Sequence, residues 1–411
     1  MLLFMAGLAV ALGTVAVDVA AAIEMHPAPV DGDGAQYVAL AQSLAANRGY
    51  YLDIDVWPDR PNVGRAPLWP ALLSVPLRVF PRADPSFIAR CTGAVLHGVS
   101  AYLLVMLTFQ LTGDVKASAF AGAILAAYAP EAGLVIGGYS EVAYVAATLA
   151  GLVLFFEGGL LTYAGALLGG AAALARPNYA ALPIVLTFLL AVFRPRALFQ
   201  GRSILFAVAA SSLFYLLPAL WIARNYAVSG HFPILSATEG EALYGGNNPV
   251  VESELNVWGY WILPPDIPGE RSKLELSRQK SEVQVNTYYH DKGVRYIREH
   301  LPLLPRLIVG KVVRGFVPVA WTQVPATIVV ASFRFCLYGV FLAFFRFWRP
   351  RNEAFDAVVA SMFLITLGTT VVYYGSFRFT FCLEPFLIPF VAAGVSAALR
   401  TEDRSAAIAA R

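Results

Sequence analysis

Long stretches without a charged residue constrain this chain more than any other feature. The opening segment, MLLFMAGLAVALGTVAVDVAAAI, carries one charge in 23 residues. A helix crosses the hydrocarbon core of a bilayer in about 20 residues. Stretches of that kind recur at 1–23, 86–111, 117–134, 141–156, 160–175, 179–193, 204–223, 325–346, 354–374 and 382–399. They predict an all-α polytopic membrane protein of about ten transmembrane helices, forming one membrane-embedded domain over 1–411. The segment PLWPALLSVPLRVF (67–80) is apolar but proline-broken, and reads as an interfacial or re-entrant helix.

Composition agrees. Hydrophobic residues make up 58% of the 411 and charged residues 14%, with a mean hydropathy of +0.62. A soluble domain has about 45–50% and about 25%. The net charge of +3 gives no basis for nucleic-acid binding. Cys91, Cys336 and Cys382 form no CxxC or Cys/His spacing, so neither a zinc site nor a disulfide framework is expected. The opening segment lacks the basic start of a signal peptide and reads as the first span. Asp18 within it is expected near the outer end, within reach of water.

Lys and Arg concentrate in cytoplasmic loops. Arg194, Arg196 and Arg202 fall in one short loop, Arg346, Arg349 and Arg351 in another, and Arg400, Arg404 and Arg411 in the tail. All three groups share one side if both termini are cytoplasmic. Two polar segments, 24–85 and 224–306, then lie outside. The stripe Tyr37, Leu40, Ala41 and Leu44 predicts an amphipathic juxtamembrane helix on the outer face, with Gly49 as its cap.

Polar residues at span boundaries are costly to bury and are therefore functional candidates. Asp31 and Asp33 follow the first span. Asp33 fits an N-cap with Gln36 at N3, a role compatible with catalysis. Ser140 and Glu141 open a span, with Glu131 in the same outer turn. Arg65, Arg176, Arg224 and Arg378 sit at outer boundaries, the wrong side for the positive-inside rule. Four such guanidiniums point to an anionic ligand such as phosphate. Gly245-Gly246-Asn247-Asn248-Pro249 is either a turn or a surface recognising hydroxyls. The five histidines show no ligand spacing, and the cofactor a pair of acids could hold is a divalent cation.

The ordered set DGDGAQYVALAQSLAANRGY, GRAPLWPALL, GGYSEVAY, LARPNY, EGEALYGGNNP and RFTFCLEPFLIPF resembles the GT-C membrane glycosyltransferases. The likeness is to the bacterial branch related to protein O-mannosyltransferases and lipid A aminoarabinose transferases, and it covers nearly the whole chain. It implies a polyprenyl-phosphate-linked sugar as donor and transfer on the extracytoplasmic face of a bacterial inner membrane. It places Asp33 as the catalytic carboxylate, with Glu141 as a second acidic candidate and the arginines on the donor phosphate. Many members carry a second acid where this chain has Gly34, so either Asp31 replaces it or Asp31 is a solvated turn residue. Tyr37, Asn247 and Asn248 are candidates for acceptor or sugar recognition. The acceptor is a lipid, glycan or protein. The competing expectations are a transporter, another lipid-linked glycan enzyme, or a non-catalytic member acting in glycan assembly.

Overall fold

The computed structural model describes residues 2–194, 201–232, 235–318, 325–344 and 352–409, with backbone alone at 201–202, 325–326 and 401–409. The side chains of Arg196, Arg202, Arg346, Arg349, Arg351, Arg404 and Arg411, on which the loop-charge argument partly rests, lie outside this description. Among the described residues there is no strand, and the one extended pairing is an isolated bridge between Tyr51 and Pro61.

The first half holds α1 (Leu2–Glu24), α2 (Gly32–Ala45), α3 (Leu68–Val79), α4 (Pro85–Thr112), α5 (Val115–Ala126), α6 (Ala129–Ile136), α7 (Glu141–Glu157), α8 (Leu161–Ala173) and α9 (Leu182–Phe193). The long α10 (Gly201–Ser229) leads to the polar segment with α11 (Glu239–Gly245), α12 (Pro249–Ser253), α13 (Lys273–Ser277) and α14 (Glu282–Glu299). The chain closes with α15 (Leu304–Phe316), α16 (Pro325–Phe344), α17 (Glu353–Val372), α18 (Phe377–Phe381) and α19 (Ile388–Ala409).

Local chemistry sets the helix ends. Asp84 accepts from the amides of Ser86 and Phe87, with Pro85 in the first turn, and so starts α4. Gly113 ends it in the left-handed region (φ 66°), and Asp114 at once caps α5. In the polar segment, Ser272 with Glu275 and Ser281 with Gln284 form capping boxes that open α13 and α14. The turn after α2 differs from expectation. The helix ends at Ala45, and Asn47 (φ 56°) reverses the chain before Gly49 is reached.

Among the described residues, five helices are long and apolar enough to cross a membrane: Leu2–Glu24, Pro85–Thr112, Ser203–Ser229, Thr327–Phe344 and Glu353–Val372. The bent pair α5 and α6, at 44°, would make a sixth. The other expected spans are shorter or interrupted. The stretch 117–134 breaks before Pro130, and 382–399 begins with a 3-10 turn at Glu384–Leu387. Within Ser203–Ser229 only 11% of the apolar window is buried, and α9 buries none of its residues. So much uncovered apolar surface requires lipid. The protein is helical and membrane-embedded.

Glycines let the helices touch. A Cβ on Gly98 would stand 2.8 Å from the Ala11 carbonyl oxygen, and one on Gly165 would stand 2.4 Å from that of Gly151. Close backbone approach at small residues is the usual interface where lipid removes the hydrophobic drive between helices. The main core gathers Leu104, Ala121, Leu149, Phe355, Phe386 and Ala392. Asp18 is inside this bundle, 4% exposed, rather than open to water. The cause is α4, whose His97 Nδ1 lies 2.6 Å from Asp18 Oδ2. Above the bundle, α2 packs Tyr37 and Ala41 against Trp69 and Leu73 of α3, and Leu40 against Tyr50 and Leu52.

Candidate functional site

Asp33 is not the cap of α2. Asp31 holds the cap position, without a side-chain hydrogen bond, and Asp33 is the second helical residue. The helix N-terminus favours an anion there. Both its carboxylate oxygens are engaged. Arg65 Nη2 donates to Oδ1 at 2.6 Å, and Arg378 Nη1 donates to Oδ2 at 2.7 Å. Arg65 also donates from Nε to Gln36 Oε1 at 2.7 Å, and its guanidinium lies over the Tyr37 ring.

Arg378 continues the chain of pairs. Its Nε donates to Glu141 Oε1 at 2.6 Å, and Arg176 Nη1 reaches the same oxygen at 3.2 Å. Arg378 stacks on Tyr139 and Arg176 on Phe379. A ladder results: Arg65, Asp33, Arg378, Glu141, Arg176. Three guanidiniums face two carboxylates, which leaves one positive charge unmatched within it. Glu141 Oε2 and Arg176 Nε are buried without hydrogen-bond partners. Burial would raise the pKa of Asp33, but the charges of Arg65 and Arg378 outweigh it and hold the carboxyl well below the usual carboxylate range. Burial works against the Arg65 charge, and Asp33 reverses that, so its pKa is raised.

The ladder borders a cavity of about 320 Å³. Asp33, Tyr37, Arg65, Arg176 and Arg378 line it, so five of the expected site residues converge. Glu141 does not line it. The residue is fully buried behind Arg176 and Arg378. Tyr37 is fixed by the Ser140 hydroxyl, which donates to its phenol oxygen at 3.2 Å.

Four expected residues are elsewhere. Asp31 is exposed and does not line the cavity. Gly34 cannot carry the acid of the family pattern, because a Cβ there would lie 2.1 Å from the Gly137 carbonyl oxygen. Arg224 stacks on Trp221 and Tyr50 and donates to the Asn62 carbonyl at 2.6 Å. It supports the loop whose Asn62 side chain holds the Arg65 amide. Asn247 and Asn248 are buried and spent on structure. Asn248 caps α12. Asn247 donates to the Leu243 and Val372 carbonyls and accepts from Lys311 Nζ at 2.7 Å. Glu131, grouped with Ser140 by sequence, is fully buried and its oxygens have no hydrogen-bond partner.

Sequence reasoning missed Asn178, Ser236, Thr238, Glu239, Thr369, Tyr373 and Tyr374, which complete the polar lining. Glu239 opens the EGEALYGGNNP motif and Thr238 precedes it, so the segment was visible and the helix phase was not. A second cavity of about 380 Å³ is largely apolar and bounded by Leu134, Val330, Ala331 and Phe377. The two cavities share the 373–379 segment: Tyr374, Arg378 and Phe379 face the first, Gly375, Ser376 and Phe377 the second.

Among the described residues no group of three or more His, Cys, Asp or Glu is arranged to hold a metal ion. The two acids of the ladder are bound to arginines instead. Comparison with known protein families and with curated proteins finds no match to this chain.

Proposed function

We propose that this protein is an integral membrane glycosyltransferase that moves a sugar from a polyprenyl-phosphate donor to an acceptor hydroxyl on the extracytoplasmic face of a bacterial inner membrane. The observation that carries the reading is the arginine ladder beside the cavity. Arg65, Arg176 and Arg378 are drawn together from three distant segments, and their one unmatched charge equals that of a phosphodiester. Guanidiniums hold phosphate by charge-assisted hydrogen bonds and neutralise the charge that grows on it as it leaves. The cavity, about 320 Å³, is at the small end of ligand sites. It suits a phosphosugar head group, with the isoprenoid tail outside against apolar surface such as the second cavity. The order of motifs in the chain supports the same reading.

A second reading, a proton-coupled transporter, is favoured by one observation. Asp18, His97 and Glu131 are buried together within the bundle, where ionisable groups often mark a proton path. One experiment separates the two. The protein in lipid nanodiscs is titrated with farnesyl phosphate and incubated with polyprenyl-phosphoryl sugars. The transferase binds the former and releases polyprenyl phosphate from the latter, and Arg176→Gln and Arg378→Gln weaken both. Solute uptake by proteoliposomes with no binding of farnesyl phosphate would establish the transporter in its place.

A further inference from the structure

Two carboxylates among the described residues line the cavity, and their situations differ. Asp33 has each oxygen on a guanidinium, at 2.6 and 2.7 Å. Glu239 opens α11 and is exposed, with no ion-pair or hydrogen-bond partner among the described residues. Its neighbour Thr238 is occupied with Ser236, at 3.0 Å between hydroxyls, and leaves the Glu239 side chain alone.

Glycosyl transfer needs a group that takes the acceptor's proton. Such a base requires a lone pair free to face the hydroxyl and an affinity for protons near the working pH. Asp33 is the poorer candidate on both counts: each of its oxygens already accepts from a guanidinium, and the same two charges depress its proton affinity. Donor binding does not release it. Three guanidiniums against two carboxylates and one phosphodiester charge come to zero, so no arginine has to leave Asp33 when the donor arrives. Glu239 meets the first requirement as it stands.

Resting on the glycosyl-transfer reading, we propose that Glu239, not Asp33, takes the proton from the acceptor hydroxyl, and that Asp33 is the positioning residue for Arg65 and Arg378. In the step, the acceptor O–H bond breaks and its proton moves to a Glu239 carboxylate oxygen. The acceptor oxygen bonds to the anomeric carbon of the sugar. The bond from that carbon to the phosphate oxygen breaks, and its electron pair leaves on the polyprenyl phosphate, held by Arg65, Arg176 and Arg378.

The test uses the full chain in lipid nanodiscs, with water as the accepting hydroxyl. Release of polyprenyl phosphate from polyprenyl-phosphoryl sugars is followed against pH, and farnesyl phosphate affinity is measured separately. Glu239→Gln is expected to lower kcat by about 10²–10⁴-fold, remove the acid limb of the pH–rate profile and leave farnesyl phosphate affinity unchanged. Glu239→Asp is expected to restore the acid limb in part. Asp33→Asn is expected to weaken farnesyl phosphate binding and to keep that limb. The assignment is overturned if Glu239→Gln stays within about tenfold of wild-type kcat. It is overturned equally if the acid limb persists in Glu239→Gln and vanishes in Asp33→Asn. A wild type that does not bind farnesyl phosphate overturns the underlying reading instead, and that outcome is seen before any variant is made.

Discussion

Gly34 and Gly137 are in backbone contact: a Cβ at Gly34 would stand 2.1 Å from the Gly137 carbonyl oxygen. A carbonyl cannot swing aside as a side chain can. Gly34→Ala is therefore expected to destabilise the protein by at least about 1–3 kcal/mol, the usual cost of overpacking. Gly34→Asp should be worse. Thermal melts in detergent read both, and a Gly34→Ala protein melting with the wild type would refute the contact.

Glu141→Gln should push stability and binding in opposite directions. The carboxylate serves Arg176 and Arg378 while itself fully buried. Removing one partner of a buried pair costs about 3–5 kcal/mol, an upper bound here because both guanidiniums are partly exposed. The ladder then carries two unmatched positive charges in place of one. A lower melting temperature with tighter farnesyl phosphate binding is expected, measured on the same preparation. Weaker binding would mean that Glu141 acts by placing the arginines rather than by balancing their charge.

The Asp18–His97 contact joins α1 to α4 inside the bundle. His97 Nε2 faces the Leu125 carbonyl, which can only accept, so Nε2 carries a hydrogen and a further proton lies between Nδ1 and Asp18. Within membrane proteins such side-chain pairs contribute about 0.6–1.7 kcal/mol. Asp18→Leu and His97→Leu should each destabilise, and the double variant should cost less than the sum. A double-mutant cycle in a denaturing detergent titration measures the coupling, and strict additivity would count against the pair.

Lys311 gives a pH dependence with a defined sign. It is 1% exposed, on α15, and its Nζ bonds Asn247 Oδ1 and the carbonyls of Val371 and Val372 at the end of α17. Burial pushes its pKa down from 10.5 to about 7. Between those values the unfolded chain binds more protons than the folded one, so stability rises with pH, by at most about 1.4 kcal/mol per unit. The gain is complete above the unfolded value and lost as pH falls to the folded one. Melting temperature should therefore climb from pH 7 to pH 9, an interval inside that window. In Lys311→Met that slope should flatten, and an unchanged slope would assign it to another group.

The convergence of Asp33, Tyr37, Arg65, Arg176 and Arg378 was legible because charged residues are rare in this chain and each of these adjoins an apolar stretch. Their mutual pairing was not, since it depends on how four distant segments pack, with Glu141 between two of the arginines. The polar segment was legible as a unit and misread in detail. Within EGEALYGGNNP the asparagines looked like the recognition groups, yet they turn inward to Lys311 and the start of α12, while Glu239 faces the cavity. A seven-residue helix has too few turns for its phase to show in a sequence. Helix breaks were likewise hidden: apolar composition runs unbroken through Tyr128 and Pro130, where α5 gives way to α6.

The arginine ladder also closes late in the synthesis of the chain. Asp33 meets Arg65 after 32 residues of separation, but its other partner, Arg378, follows 345 residues later. Until α17 is inserted and the chain beyond it is placed, the early part of the site holds an acid with one arginine, and Glu141 lacks its nearer partner. A chain stalled short of residue 378 thus carries two half-matched carboxylates. The ladder closes in one late step, and the ion pairs that hold it together are the ones whose absence marks an unfinished copy.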